Sequence, residues 1–297
     1  MSLWVLFTLA AAALQTVRFM LQKQLRGAGL STGGATFSRF LFAAPIACGL
    51  AATALLLTGA RPPEPGPGFW AYVTLGAICQ IVATFLTVAL FALRNFAVGV
   101  AFTKTETVQV AAFSALMLGE RVSPFGWAAI VTGFTGVLLL SKAPVAGARV
   151  LGRPALYGVL AGALFGLSAI GYRGATLALQ PLPFLLRALL ALAAATVIQT
   201  MLMAAWLRWR EPGEIGRVLA RWRRTALVGL TGGLGSLGWF AAFALQNAAY
   251  VRALGQVEIV FTLLASALVF HERLHLREAA GIALVILSVV AIVMGLG

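Results

Sequence analysis

Ten apolar stretches dominate the chain, near residues 3–22, 33–58, 69–93, 97–118, 123–141, 154–178, 182–206, 224–246, 248–270 and 276–296. They run close to the ~20 residues that an α-helix needs to cross the hydrocarbon of a bilayer. Charge, proline or glycine bounds them. Arg61-Pro62-Pro63-Glu64-Pro65-Gly66-Pro67-Gly68 cannot continue a helix, and Gln180-Pro181-Leu182-Pro183 marks a second break. Hydrophobic residues make up 61% of the chain and charged ones 10%, with a mean hydropathy of +0.97. A soluble domain of this length does not have that composition. The predicted fold is an all-α membrane protein of ten transmembrane helices.

The stretches also repeat. FALRNFAVGVA (91–101) lies over FALQNAAYVRA (243–253), and SALMLGER (114–121) over SALVFHER (266–273), at one offset of 152 residues. Arg94-Asn95 and Gln246-Asn247 fall at matched positions, which predicts equivalent turns. Five spans per copy is an odd number, so the second copy must enter the membrane from the opposite side, giving two inverted five-helix repeats around a pseudo-two-fold axis. The segment from Lys142 to Arg153 holds Pro144, Gly147 and Gly152 and has no apolar run. The predicted organisation is therefore a first repeat over 1–143, a linker over 144–152 and a second repeat over 153–297.

Orientation follows from basic residues in the joints. Fourteen lie on one face, in the one-two, three-four, five-six, seven-eight and nine-ten joints: Lys23, Arg26, Arg94, Lys142, Arg149, Arg153, Arg208, Arg210, Arg217, Arg221, Arg223, Arg224, Arg273 and Arg277. The other face has three, Arg61, Arg121 and Arg173. Positive charge stays on the cytoplasmic side, which places both termini outside the cytoplasm. In the longest basic stretch, Arg217, Arg221 and Arg224 stand at helical spacing after Pro212, as in a short interfacial helix. The net charge of +14 is read as a counterpart of anionic lipid, not of nucleic acid. Cys48 and Cys79 each sit in an apolar run and read as packing residues. MSLWVLFTLAAAAL lacks the basic flank of a secretory signal and reads as the first span.

Two motifs of soluble enzymes occur and neither fits its usual chemistry. His271-Glu272-Arg273-Leu274-His275 matches H-E-x-x-H, where two histidines one turn apart hold zinc and the glutamate is the base. These are the chain's two histidines, aspartate is absent, and the repeat partner Gly119-Glu120-Arg121-Val122-Ser123 keeps Glu-Arg without either histidine. The reading is a shared interfacial joint with no metal site. Gly233-Leu234-Gly235-Ser236-Leu237-Gly238 satisfies G-x-G-x-x-G, but a dinucleotide site needs a strand-turn-helix unit that an apolar helix does not provide. Gly229, Gly233 and Ser236 instead predict close helix packing. No catalytic residue, metal or cofactor is assigned, and with no phosphate-binding loop G-x-x-x-x-G-K-S/T nothing in the sequence predicts ATP use.

The functional candidates are the polar residues within the spans, where ionisable groups are expensive and need partners or a wet cavity. Glu106 lies over Glu258 in the repeat, and Lys104 over Gln256. These four are the predicted substrate and proton-coupling residues. Lys104 can neutralise only one of the two carboxylates, which predicts one salt-bridged glutamate and one titratable glutamate. Gln15, Arg18, Gln80, Tyr172 and Trp239 are predicted to line the same cavity. Arg39 and Arg187, near one end of the second and seventh spans, are read as snorkelling or capping helix ends.

This pattern resembles the drug/metabolite transporter superfamily in its EamA branch of ten-helix carriers. The resemblance rests on the two five-helix units, on Arg39 and Arg187 early in the second helix of each, and on Glu120-Arg121 and Glu272-Arg273 at the end of the fourth, before a glycine-containing fifth. It implies a central cavity between the repeats, lined by helices one, three, four, six, eight and nine, and alternating access by rocking of the halves. It is most similar to bacterial exporters of amino acids and related metabolites. Many family members have cytoplasmic termini, whereas the loop charges here argue for periplasmic ones. The expected protein is a monomeric, multi-pass carrier of the bacterial inner membrane, exporting a small amphipathic molecule, with no enzymatic activity and no nucleic-acid partner. Two alternatives remain: efflux of lipophilic drugs, and an intramembrane enzyme using His271, Glu272 and His275.

Overall fold

The computed structural model describes residues 2–27, 29–60, 64–90, 102–140, 152–261 and 276–295. Its elements are helices: α1 (Leu3–Gly27), α2 (Thr32–Thr58), α3 (Pro67–Leu90), α4 (Glu106–Leu118), α5 (Pro124–Leu140), α6 (Arg153–Leu177), α7 (Phe184–Arg210), α8 (Glu214–Ala220), α9 (Trp222–Leu245), α10 (Ala248–Gly255) and α11 (Leu276–Gly295). Six of them, α2, α3, α6, α7, α9 and α11, are long and apolar enough to cross a membrane. Shorter apolar helical stretches lie at Leu3–Arg18, Glu106–Leu118 and Pro124–Leu140. Residues 61–63, Arg94-Asn95, 142–151 of the linker, and His271 to His275 lie outside the described residues, so the readings that rest on them have no structural counterpart here.

Local chemistry sets the helix ends. Ser31 caps α2 by accepting from the Gly34 amide at 2.9 Å, and Asn247 caps α10 by accepting from Ala249 at 2.8 Å. Gly59 and Gly119 close α2 and α4 with φ of 62° and 68°, a left-handed conformation that glycine adopts without strain. The surface is apolar: Leu56, Leu57, Leu116 and Leu276 are all more than four-fifths exposed. Alanine and glycine pack inside, as expected where lipid rather than water surrounds the helices.

The duplication is visible in helix lengths. α1 and α6 have 25 residues each, α2 and α7 have 27, and α3 and α9 have 24. It is also visible in packing. α3 packs on α6 as α9 packs on α1, and α3 on α7 as α9 on α2. α2 with α7 and α5 with α11 are helices meeting their own counterparts. Exchanging the two halves maps these contacts onto themselves, which is the signature of two-fold pseudo-symmetry.

Three local expectations change. The fourth span is not one continuous helix: a turn at Lys104-Thr105 interrupts it, so Glu106 is the first residue of α4 instead of lying mid-helix. Arg173, counted in an outer joint, lies within the last turns of α6 with its side chain largely buried. Cys48 is exposed on α2 and does not pack inside, while Cys79 is buried, and both are free thiols. The basic stretch after Pro212 does form a short helix, α8, and its amino terminus is tied to α2.

Candidate functional site

The fourth and ninth segments break at the same place. In the first half the helix turns at Lys104-Thr105, and the Thr107 amide donates to the Lys104 carbonyl at 3.5 Å. In the second half α10 ends at Gly255, Gln256 forms the turn, and the Ile259 amide donates to the Gln256 carbonyl at 3.0 Å before the helix resumes. Positions 104 and 107 map onto 256 and 259 at the repeat offset. Half-helices abutting inside a membrane expose amide and carbonyl ends to any molecule held between them. Each break is accommodated by missing side-chain bulk: a Cβ on Gly162 of α6 would stand 2.8 Å from the Thr103 carbonyl, and one on Gly255 would stand 2.4 Å from the Trp239 ring.

Glu106 starts the second half of this broken segment and is buried, with 5% of its surface exposed. Its partner is Arg252 of α10, at 2.5 Å. The expected partner, Lys104, makes no ion pair among the described residues. The contact between Glu106 and Arg252 lacks hydrogen-bonding geometry at Glu106 Oε1, and Arg252 Nε also goes unbonded. Gln256 Oε1 and Gln109 Oε1 are also buried without a hydrogen-bond partner among the described residues. Buried polar atoms are nearly always paired, so the unbonded atoms of Gln109 on α4, Arg252 on α10 and Gln256 in the turn after it make this place a candidate binding site.

Glu258 sits in a different environment. Gln15 Nε2 donates to its Oε2 at 2.7 Å, and Arg18 of α1 interacts with it electrostatically. Trp239 Nε1 donates to Gln15 Oε1 at 3.2 Å, and the Arg252 guanidinium lies over the Trp239 ring, 4.8 Å from its centroid. Glu106, Arg252, Trp239, Gln15, Glu258 and Arg18 therefore form one continuous chain across both halves. Of the predicted residues, Glu106, Glu258, Gln15, Arg18 and Trp239 come together, and Gln256 lies one helical turn after Arg252. Gln80 and Tyr172 belong to a neighbouring cluster, where the Tyr172 hydroxyl donates to Gln80 Oε1 at 3.0 Å and Gln199 Nε2 donates to the same oxygen at 2.7 Å.

Arg252 and Gln199 are the residues that sequence reasoning leaves without a role. Arg252 had a signal: it is the basic residue of the ninth apolar stretch, six positions before Glu258, and its repeat counterpart is Val100. Arg187 donates to the Thr176 and Ala244 carbonyls at 3.3 Å each, capping the last turns of α6 and α9 as expected. Arg39 does not cap a helix; it donates to Ser236 Oγ at 3.1 Å. The glycines of α9 serve packing, since a Cβ on Gly229 would fall 2.3 Å from Phe42 and one on Gly238 would fall 2.9 Å from the Phe7 carbonyl. No group of three or more metal-ligating side chains occurs among the described residues.

The two halves are also tied at both ends. At one end Arg173 Nη2 of α6 meets Glu120 Oε1 at 2.6 Å and its Nη1 donates to the Phe243 carbonyl at 2.5 Å. Ser114 Oγ there donates to Asn247 Oδ1 at 3.2 Å. At the other end the Ser31 amide donates to Glu214 Oε1 at 2.6 Å, the Ser31 hydroxyl donates to Glu211, and Arg217 pairs with Glu214. Glu214 is fully buried against Gly34, where a Cβ would overlap its carboxyl. Burial alone would raise this carboxyl, but the Ser31 amide, the Arg217 guanidinium and the Ser31 hydroxyl together hold it below the ordinary value of 4.5.

Among curated proteins no sequence matches this chain. A solved structure described only as a crystal structure of a protein superimposes with a TM-score of 0.72 at 16% identity, covering 98% of this chain and 96% of that one. At that identity the likeness speaks for the fold alone. The EamA-like transporter family matches twice, over residues 2–142 and 152–294, one match for each half of the duplicated helix set. A helical protein with an apolar surface, two matched halves and a polar track between them thus belongs to the EamA-like transporter family, within the drug/metabolite transporter superfamily, whose members are transporters and not enzymes.

Proposed function

We propose that this protein is a secondary carrier of the bacterial inner membrane that exports small amphipathic metabolites, most of all amino acids, by alternating access between two inverted five-helix repeats. The observation that carries the reading is the Glu106–Arg252 pair, buried between α4 and α10, with Arg252 Nε and the nearby Gln256 Oε1 left without a hydrogen bond among the described residues. An ion pair in a low-dielectric interior is costly to break by removing one partner, but an incoming zwitterion replaces both partners at once. The substrate ammonium takes Glu106, its carboxylate takes Arg252, and the free Gln256 Oε1 accepts a further ammonium proton. Glu258, held by Gln15 beside Arg18, is the second carboxylate and the candidate for proton exchange. The segment carrying α8 faces the cytoplasm, in keeping with its arginines, and both termini face the periplasm.

A panel of radiolabelled amino acids tested for uptake and counterflow in proteoliposomes at two pH values tests this. Counterflow that disappears in Glu106→Gln supports it. Unchanged transport and unchanged pH dependence in both Glu106→Gln and Glu258→Gln, at matched protein amounts, sinks it.

A second reading, efflux of lipophilic compounds, is favoured by buried aromatic contacts along α9, whose Trp239 lies under the Arg252 guanidinium. The Tyr172 and Phe240 rings lie 4.3 Å apart and Trp239 stacks on Phe243 at 6.2 Å. Flux of a lipophilic cation but of no amino acid selects it.

A further inference from the structure

Arg18 and Arg39 come from different helices and lie side by side inside the protein, with 3% and 6% of their surfaces exposed. Both stems cross α9 at Gly232, where a Cβ would stand 2.9 Å from Arg39 Cγ and 3.1 Å from Arg18 Cδ. A side chain at 232 would push the two arginines off the helix, so the glycine lets them converge. Their charges repel, and one carboxylate, Glu258, interacts with Arg18. Arg39 has no acidic partner among the described residues; it donates to Ser236, one turn before Trp239 on the same helix. Arg187 differs in this respect, because two helix-end carbonyls absorb its charge.

The polar track accordingly carries Arg18, Arg39 and Arg252 against Glu106 and Glu258, with Lys104 at the break adding a further cation. Surplus positive charge in a membrane interior is expensive unless a ligand brings the compensating anion. The Glu106–Arg252 end already suits an amino group and a carboxylate. We propose that Arg18 and Arg39 form an anion subsite at the other end of the same track, taking a second carboxylate, so that the carried class is acidic amino acids. This rests on the carrier reading above and narrows its substrate.

Glutamate and glutamine are nearly isosteric and differ in that second charge, which makes them the probes. In proteoliposomes of the intact protein, labelled glutamate should show a KM about tenfold or more below that of glutamine, the size expected for a charge-assisted hydrogen bond in a dry site. Arg39→Gln should raise the glutamate KM by a similar factor and leave the glutamine KM unchanged, with Arg39→Lys retaining part of the preference. A merely structural arginine would shift both probes together. Equal KM values in the unmodified protein overturn the subsite without any variant, and so does a glutamate preference that survives Arg39→Gln. Counterflow of neutral amino acids with none of glutamate removes the subsite and leaves the carrier standing. Counterflow of no amino acid removes the amino-acid carrier reading on which the subsite rests.

Discussion

Arg252 and Glu106 are held together where either charge alone would be costly, so their substitutions should not be additive. Removing one partner of a buried pair costs about 3–5 kcal/mol, because the other is left uncompensated. Arg252→Gln and Glu106→Gln should each lower the thermal unfolding temperature in detergent, and the double variant should recover much of the loss. Counterflow should stay absent in all three. Stability restored without transport is the result that separates a substrate-engaging pair from structural glue; transport recovered together with stability would make the pair structural. The repeat made the two glutamates legible, since each stands in an apolar run at a matched position. Arg252 was hidden by the same reasoning, because its counterpart is Val100 and a symmetric comparison passes over unmatched residues. Lys104 looked like the natural partner two positions away, but the turn at 104–105 separates it from Glu106, while α10 packs against α4 and delivers Arg252.

At the scale of elements, the hydropathy pattern showed where helices would run but not where they would break. A turn inside an apolar segment changes backbone bonding and leaves composition alone, so the interruptions at Lys104 and Gln256 have no hydropathy signature. The lack of bulk that admits them is testable. Gly162→Val should push a side chain into the Thr103 carbonyl and disturb the start of α4, with an overpacking cost of about 1–3 kcal/mol and a loss of counterflow larger than Gly49→Val produces on open surface. Equal effects at the two positions would mean that the break is not where transport is sensitive. The helix α8 was legible from its arginine spacing, but its grip on α2 was not, because Ser31 and Glu214 are far apart in sequence. That grip has a pH signature. The Glu214 carboxyl is held below 4.5 in the folded protein, so its ionised form stabilises the fold at neutral pH, and this contribution is lost as pH falls below 4.5 through the lower folded value. The unfolding temperature should therefore drop more steeply below that pH in the unmodified protein than in Glu214→Gln. Parallel curves would contradict the assignment.

For the molecule as a whole, the two sets of ties between the halves are spatially opposed. α7 runs 27 residues, roughly 40 Å at 1.5 Å per residue, from the end where α6 finishes near Arg173 to the end where Glu211 meets Ser31. Glu120–Arg173 and Ser31–Glu214 thus fasten opposite ends of the same pair of repeats, and both are made in this structure. A carrier working by alternating access must release one set while keeping the other, and the two differ in chemistry: an ion pair with a backbone carbonyl at one end, a helix amino terminus gripped by carboxylates at the other. Weakening one tie should bias the population toward opening at that end. Ser114→Cys places a thiol behind the Glu120–Arg173 tie, and adding Glu120→Gln should speed its labelling by a membrane-impermeant maleimide in right-side-out vesicles. Glu214→Gln should slow that same labelling, because loosening the far end shifts the population away from opening at this one. Faster labelling with either substitution would indicate general loosening instead of reciprocal gating. Labelling confined to inside-out vesicles would reverse the proposed sidedness and keep the reciprocity.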